Sequence, residues 1–172
     1  MTPSRKRHPA KGAAATAKRG RAASKYVPWA GVSDVRRRTM SAIRSRDTKP
    51  ELSVRRLLHA AGYRFVVGRR VEGYRPDVVF TKRRKAVFVH GCFWHGHGAC
   101  GHDKVPKTRP EYWAGKIEGN QQRDQRAAKA LDQSGWEVLV LWECEIRSSD
   151  TARRLADFLG PARWAGSARA EP

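Results

Sequence analysis

The sequence has 172 residues, which suits one domain with a sizeable core plus tails and is too short for two ordinary domains. Lysine and arginine total 36 against 16 aspartate and glutamate residues, so the formal net charge is +20 at pH 7. No compact domain needs this charge for solubility alone, and the imbalance predicts a polyanionic partner. Six tryptophans favour nucleic acid over an acidic membrane surface, because bases stack on indole rings.

Neither membrane insertion nor secretion is expected for this chain. The longest apolar stretch, Trp136–Trp142, is far shorter than the roughly 20 residues that span a bilayer. The N-terminus has no apolar segment typical of a signal peptide. Three cysteines cannot all pair with one another, and histidines lie close to two of them, so a reduced compartment and a metal site fit better than disulfides.

Residues 1–33 contain eight lysines and arginines and no acidic residue, and we expect this tail to be disordered. Subtracting its eight charges from +20 leaves +12 on the remainder, so the folded part is also basic. Ser33 or Asp34 can cap a first helix that runs to about Arg46. The basic residues of this helix can face phosphate or only water.

A second helix is predicted over residues 49–61, because Thr48 and Glu51 have capping-box spacing and an apolar stripe follows them. The stripe consists of Val54, Leu57, Leu58 and Ala61. Three strand-like runs follow the helix: Tyr63–Val67, Asp77–Phe80 and Ala86–Val89. The short connection between the last two predicts a hairpin.

The second half of the chain predicts a loop, a long helix, a strand and a last helix. Residues 91–110 are rich in glycine, histidine and proline, so we expect an irregular loop that a metal orders. A mostly solvated helix is predicted from Pro110 to about Ser134, with Gly135 as its end. Its inner positions are Ile117, Ala127, Ala128 and Leu131. The remaining predicted elements are a strand covered on both faces over Trp136–Trp142, a helix from Ser148 or Ser149 to Leu159, and a loose tail over 161–172.

The sum of these elements is a mixed α/β fold in a single domain over residues 34–160. Within it, cysteine and histidine are dense between His90 and His102, and Cys144 follows the last strand. Zinc takes four nitrogen or sulfur ligands in a tetrahedron, and three cysteines with one histidine would supply them. The predicted ligands are Cys92, His97, Cys100 and Cys144, with His97 preferred to His95 and His102. A closed site of this kind stabilises a fold and hydrolyses nothing itself, whereas each cysteine taken alone indicates only a small buried side chain.

A second candidate site is Asp77, which opens a strand after Arg75-Pro76 and whose hairpin partner strand ends in His90. An aspartate there can hold Mg²⁺ and leave positions open for phosphate and water, which a phosphodiesterase needs. The alternative is an ordinary turn, because Pro-Asp pairs are common in turns. Glu51 can likewise be only a capping carboxylate, and His90 and His95 can serve only local backbone groups.

Three large aromatic residues lie on or beside the glycine-rich loop: Phe93, Trp94 and Trp113. Apolar side chains on loops of a basic surface can wedge between base pairs and unstack them. The alternative is that they anchor an ordinary core.

Motifs that follow one another from about residue 36 to 147 carry a family resemblance. They are MSAIRSRDTKPE at 40–51, RPD at 75–77, VFVHGCFWH at 87–95, KVP at 104–106, Trp113, Asn120 with RD at 123–124, and the run from GW at 135 to WEC at 142–144. In order and spacing, this set resembles the very-short-patch-repair (Vsr) mismatch endonucleases of bacteria. The run at 90–95 is highly specific.

The resemblance implies a restriction-endonuclease-like fold, with a mixed β-sheet flanked by helices and a structural zinc site. It implies a Mg²⁺-dependent enzyme that nicks one DNA strand 5′ to the thymine of a T:G mismatch, the lesion left when 5-methylcytosine deaminates. The implied partners are duplex DNA with that mismatch and mismatch-repair proteins. We expect a monomer in the bacterial cytoplasm, associated with the nucleoid.

The resemblance also implies roles for individual residues. Asp77 matches the metal-binding aspartate, and the backbone of Val89 matches a carbonyl that also ligates magnesium. His95 matches the histidine that activates water, with His90 and Glu51 as supporting catalytic residues. The implied zinc ligands are Cys92, His97, Cys100 and Cys144. The implied wedge beside the mismatch is Phe93, Trp94 and Trp113.

Two departures and two alternatives qualify this interpretation. The generic nuclease fold has an acid and a lysine on the hairpin strand, where Phe88 and His90 stand here, as they do in the family. The loop between His97 and Cys100 is one residue longer than in the family member compared, which keeps His102 as the alternate ligand. The alternative functions are a zinc-stabilised DNA-binding protein without nuclease activity and a restriction-type nuclease acting on ordinary duplex DNA.

Overall fold

The structure, a computed structural model, describes residues 33–35, 38, 46–102 and 104–162. The described elements from Lys49 onward belong to one compact unit. In chain order they are α1 (Lys49–Ala60), β1 (Val78–Phe80), β2 (Lys85–His90), α2 (Cys92–His95), α3 (Pro110–Gln133), β3 (Glu137–Trp142) and α4 (Asp150–Leu159). A short 3-10 helix, Thr81–Arg83, joins β1 to β2.

The three strands form one mixed sheet in the order β1-β2-β3. β1 and β2 pair antiparallel as the predicted hairpin, and Arg84 closes the connection in the left-handed conformation at φ 53°. β2 and β3 pair in parallel over six residues, from Lys85↔Glu137 to His90↔Trp142. Parallel neighbours need a crossover connection, and α3 lies within it.

Apolar side chains alternate between the two faces of the sheet and form two clusters. Val78 and Phe80 of β1 face a cluster to which α1 and α4 contribute, while Val79 between them faces a second cluster that includes Leu131 of α3. Successive residues of a strand point to opposite faces, so helices cover both sides of the sheet. The predicted mixed sheet flanked by helices is confirmed.

Local signals set the ends of the two longest helices, as predicted. Thr48 has extended backbone at the N-cap of α1, and its side chain accepts from the backbone N of Glu51 at 3.5 Å. α3 has 24 residues and ends before Gly135, which has a left-handed φ of 72°. Although α3 is long enough to cross a bilayer, neither it nor any other helix in the described ranges is also apolar enough to do so.

The predicted strand Tyr63–Val67 is wrong. Within it, Val66 forms an isolated antiparallel bridge to Val79, and no ladder extends from that bridge. Tyr63 and Phe65 instead pack edge-on against Phe80, with ring centroids 6.2 and 6.1 Å apart. The aromatic alternation in the sequence therefore reflects packing onto the sheet and not strand pairing.

The prediction that 91–110 is irregular throughout is wrong at its start, because residues 92–95 form the short helix α2. Gly96 ends α2 at a left-handed φ of 61°. On α3, Ala127 and Leu131 are buried and Ile117 is half-buried as predicted, but Ala128 is exposed. A period of 3.6 residues turns Ala128 away from the face that Ala127 and Leu131 share.

The predicted stripe on α1 is also only half correct. Val54 and Leu58 are buried, whereas Leu57 is 37% exposed and Ala61 is exposed. β3 follows its prediction more closely, since Val138 packs on one cluster and Leu139 on the other, although both are only half-buried.

Predictions at the chain ends meet few described residues. Asp34, Val35 and Arg38 are helical, and the remainder of the predicted first helix up to residue 45 lies outside the described residues. The two predicted tails lie almost entirely outside them as well. α4 follows Ser149, and the hydroxyl of Ser148 accepts from the backbone N of Asp150 at 3.2 Å.

The neighbours Leu57 and Leu58 provide a matched test of this packing. Leu58→Ala is expected to lower the free energy of unfolding by about 3 kcal/mol, because it leaves a cavity between α1 and the sheet. Leu57→Ala should lower it by about 1 kcal/mol or less, because much of that side chain is already in water. Urea unfolding followed by circular dichroism measures both values, and equal losses would contradict the packing described here.

Candidate active site and metal centre

The parallel register of β2 and β3 brings distant parts of the chain together at one edge of the sheet. His90 ends β2 and pairs with Trp142, which ends β3. The backbone N of Glu143 donates to the carbonyl of His90 at 2.9 Å, so the two segments are still held together just beyond this pair of residues. Cys92 and Cys144 each lie two residues past it. Cysteines 52 positions apart in the sequence therefore meet.

The first group of side chains at this edge contains the predicted zinc ligands. Cys92, His97, Cys100 and Cys144 each offer one ligand atom, and these four atoms lie within 4.8 Å of one another. The Sγ of Cys144 is 3.4 Å from Nδ1 of His97. Zinc–sulfur bonds of about 2.3 Å in a tetrahedron place two sulfurs about 3.8 Å apart, so the group has the size that zinc needs.

The surroundings of this group also suit a cation. The ring of His97 stacks on Trp142, with centroids 4.2 Å apart and an interplanar angle of 18°, which fixes its orientation. Burial raises the pKa of the Cys92 thiol to about 12, so a thiolate there needs a positive charge beside it. His102 is exposed and lies outside the group of four. The residues present therefore fit a closed zinc site.

The second group begins with Asp77, directly before β1. Its Oδ2 accepts a hydrogen bond from the backbone N of Val89 at 2.7 Å, and its own backbone N donates to the carbonyl of Val87 at 3.0 Å. Burial raises the pKa of Asp77 to about 6, although the Val89 hydrogen bond lowers it, and the neighbouring carboxylate of Glu51 raises it further. A divalent cation would offset both the burial and the repulsion.

Glu51 is held more firmly than a capping carboxylate needs to be. Its Oε1 accepts from the hydroxyl of Thr48 at 2.9 Å, and its Oε2 accepts from the backbone N of Asp47 at 2.9 Å and from Nη2 of Arg55 at 3.0 Å. The carboxylate is buried, with 6% of the residue exposed. These donors fix Glu51 in position beside Asp77.

Two histidines lie against each other next to these carboxylates. The rings of His90 and His95 are stacked, with centroids 4.0 Å apart and an interplanar angle of 9°. Nδ1 of His95 is 2.5 Å from Oδ2 of Asp124. Burial, together with the electrostatic effect of the neighbouring His95, lowers the pKa of His90 to about 4, so His90 is neutral near pH 7. One ligand atom each of His90, His95 and Asp124 lies within 4.8 Å of the other two, and the short contact is the one between His95 and Asp124.

Asp124 is a site residue that the sequence reasoning missed. It lies on α3 four residues after Asn120, whose Nδ2 donates to the carbonyl of Trp94 at 2.7 Å. Residues four apart share one face of a helix, so both reach α2. This polar pair, inside a motif already quoted for the family resemblance, is the signal that could have identified Asp124. With the proton of His95 on Nδ1 facing Asp124, Nε2 is the acceptor.

The three predicted wedge residues form one aromatic cluster. Phe93 lies 5.0 Å from Trp94 and 5.3 Å from Trp113, between ring centroids, and the two tryptophans are 6.1 Å apart. All three are half-buried. Tyr112, which was not predicted, extends the cluster at 5.0 Å from Trp113. α2 and the first turn of α3 thus present a partly exposed aromatic surface beside His95.

Comparisons with known proteins identify chains that are similar to this one. Residues 32–101 match a protein-family model described as DNA mismatch endonuclease Vsr. The chain is 48% identical over 128 residues to the type II nicking enzyme V.XorIIP of Xanthomonas oryzae pv. oryzae, which covers 74% of this chain and 93% of that protein. It is 43% identical over 115 residues to the DNA mismatch endonuclease Vsr of Escherichia coli K12, which covers 67% and 73%. Among solved structures, the catalytic domain of homing endonuclease I-Bth0305I is similar with a TM-score of 0.46 and 20% identity, covering 65% of this chain and 94% of that one.

The region that matches the family model contains the carboxylates Glu51 and Asp77 and the stacked pair His90 and His95. The two relatives extend the match over more than two thirds of their own lengths. The chain belongs to the Vsr family of DNA mismatch endonucleases, and it is a DNA endonuclease.

Proposed function

We propose that this enzyme uses Mg²⁺ to nick one strand of duplex DNA 5′ to the thymine of a T:G mismatch, the product of 5-methylcytosine deamination. The observation that carries the proposal is that Asp77 and Glu51 lie next to the pair formed by His95 and Asp124, beside an aromatic cluster. The names of the relatives, a nicking enzyme and a mismatch endonuclease, support it.

The carboxylate site would hold the metal through Asp77 and the carbonyl of Val89. Bound there, Mg²⁺ supplies positive charge that offsets the repulsion between hydroxide and a phosphodiester. The chain prepares this site in advance. Asp77 is fixed by the N–H of Val89, and Glu51 is fixed by its three donors, so neither side chain needs to reorganise when DNA arrives.

His95 is the proposed general base, because its Nε2 can accept a proton from the attacking water. Asp124, bonded to Nδ1, orients the ring and stabilises the imidazolium that forms. His90 stays neutral, since its pKa is lowered to about 4, and its ring lies flat against that of His95. His90 therefore supports the His95 ring without adding a charge beside it.

Mismatch selection is assigned to Phe93, Trp94 and Trp113. Their rings are already packed together and partly exposed, so a wedge between base pairs needs little further ordering. A weakly stacked T:G step opens at lower cost than a matched one. The excess of basic residues, including the N-terminal tail, raises affinity for any duplex without reading sequence.

The zinc group is assigned a structural role, because four protein ligands leave no open position for substrate. We further infer that the enzyme acts as a monomer in the bacterial cytoplasm, at the nucleoid, and that it contacts mismatch-repair proteins. Membership of an endonuclease family argues against the alternative of a DNA-binding protein without nuclease activity. The restriction-type alternative differs from our proposal in substrate, and a direct assay separates the two.

One labelled duplex carrying T:G, compared with the same duplex carrying C:G, tests the substrate. We expect a single nick 5′ to the thymine of T:G, dependent on Mg²⁺, and far slower nicking of C:G, because the wedge opens the mismatched step more easily. Denaturing electrophoresis measures both rates. Equal nicking of the two duplexes would contradict the mismatch proposal and support a restriction-type nuclease.

Variants of two aspartates are the controls for that assay. Asp77→Asn should abolish nicking and leave T:G binding largely intact, because it weakens metal binding and alters no wedge residue. Asp157→Asn, an exposed aspartate on α4, should change neither. Loss of binding together with activity in Asp77→Asn would indicate a folding role instead.

The pairing of His95 with Asp124 predicts non-additive effects on rate. His95→Ala and Asp124→Asn should each lower kcat on the order of 10²- to 10⁴-fold, the range of general-base catalysis. The double variant should be little slower than His95→Ala, because Asp124 acts through that ring. Asp132→Asn, an exposed aspartate on the same helix, is the matched control and should leave kcat unchanged. Losses that multiply in the double variant would show that Asp124 acts independently.

The zinc proposal predicts that metal content and stability change together. Cys144→Ser and His97→Ala should both lose zinc and lower Tm, because a closed site couples metal binding to folding. His102→Ala should retain zinc and Tm. Elemental analysis and thermal unfolding measure these quantities, and a wild-type protein that is fully folded without zinc would refute the structural role.

A further inference from the structure

A tight turn shapes the loop that precedes Asp77. Val71 and Tyr74 exchange both backbone hydrogen bonds, with N to O distances of 2.8 and 2.9 Å. The two residues between them, Glu72 and Gly73, have φ values of 49° and 81°. Positive φ at both central positions is the signature of a two-residue type I′ hairpin turn. The chain therefore reverses direction within two residues.

The two arms of this turn come together again at β1. The second bridge of this segment joins Val66 to Val79, and equal stretches, 67–70 and 75–78, separate it from the bridge at the turn. Gly68 and Asp77 thus lie on opposite arms of the segment, between the same two bridges.

Two guanidinium groups converge on Gly68. A Cβ at this position would lie 3.0 Å from Nη2 of Arg75 and 3.6 Å from Nη2 of Arg46. Gly68 has a left-handed φ of 76° and no side chain, so the space between the two cations stays open.

Arg46 and Arg75 are both exposed. Neither has a hydrogen bond or ion pair with any described residue. Other arginines of the described chain do have carboxylate partners, such as Arg55 with Glu51 and Arg154 with Glu145. Two cations aimed at one open point repel each other unless an anion lies between them. The pair is therefore arranged for an anion that the described chain does not itself supply.

We propose that Arg46 and Arg75 bind one phosphate of the DNA backbone beside the phosphate that is cleaved. Planar guanidinium groups bind phosphate through two parallel hydrogen bonds each, which suits two arginines around one anion. The position of this phosphate next to the cleaved one rests on the proposed function of Asp77. Binding of a backbone phosphate does not depend on it.

The attachment of both arginines explains how such a contact would align the DNA. Arg46 precedes Asp47, whose backbone N donates to Glu51 at 2.9 Å. Arg75 precedes the fully buried Pro76, which leads directly into Asp77. A phosphate held between the two arginines is thereby fixed relative to both carboxylates. Contacts of this type position the duplex and carry no sequence information.

Salt-dependent binding of an ordinary C:G duplex, with Ca²⁺ in place of Mg²⁺, tests the arginine pair without any cleavage. In Arg46→Gln and Arg75→Gln, the slope of log K against log salt should fall in magnitude by about 0.9, the value for one phosphate contact. The double variant should lose little more than either single variant, because both serve the same phosphate. Arg56→Gln, an exposed α1 arginine also without a described partner, is the matched control. Unchanged slopes, or fully additive losses in the double variant, would overturn the proposal.

A scan with single methylphosphonate groups, which remove the charge of one phosphate, locates the contact on a T:G duplex. Wild-type protein and Arg56→Gln should both lose affinity when a phosphate next to the nick position is neutral. The Arg46→Gln, Arg75→Gln double variant should be insensitive at that same position. Continued sensitivity there would refute the contact. If the double variant instead loses its sensitivity at a phosphate far from the nick position, the two arginines do bind a phosphate, but the link of that phosphate to Asp77 is refuted. Thermal unfolding verifies that each variant is folded.

Discussion

The parallel pairing of β2 with β3 is the constraint on which the site depends. It sets His90 beside Trp142, so that the segments leaving the two strands start together. Cys92 and Cys144 meet for this reason, and Trp142 becomes the surface on which the ring of His97 stacks. A shift of one residue would move the side chains of a whole strand to the opposite face, and both the zinc group and the histidine stack would separate.

One turn of helix then distributes four consecutive side chains to three different tasks. In α2, Cys92 is one of the four candidate zinc ligands, Phe93 and Trp94 belong to the aromatic cluster, and His95 contacts Asp124. α3 provides the partners from successive turns, with Asn120 anchoring the backbone of α2. A helix this short gains little stability from its own hydrogen bonds, so its geometry depends on these external contacts.

Charge is organised differently on the two sides of Asp77. Burial and Glu51 disfavour its ionised form, while Arg55 bonds Glu51 and offsets part of the repulsion. Across the hairpin, Arg46 and Arg75 add positive charge without an acidic partner among the described residues. A site with carboxylates at its centre and arginines beside it suits a ligand that carries phosphate groups and binds together with a metal ion.

Local patterns in the sequence determined α1, α3, the hairpin, β3 and the candidate set of cysteine and histidine ligands. Capping residues, apolar periods and loop composition act over a few positions, so they can be read without a fold. The tertiary structure decided that 63–67 packs through its aromatic rings, that Leu58 and not Leu57 is buried, and that Asp124 meets His95. These outcomes depend on which helix lies over which face of the sheet, a long-range arrangement that no local pattern encodes. The convergence of Arg46 and Arg75 on Gly68 has the same origin, since residues from two separate segments of the chain meet there.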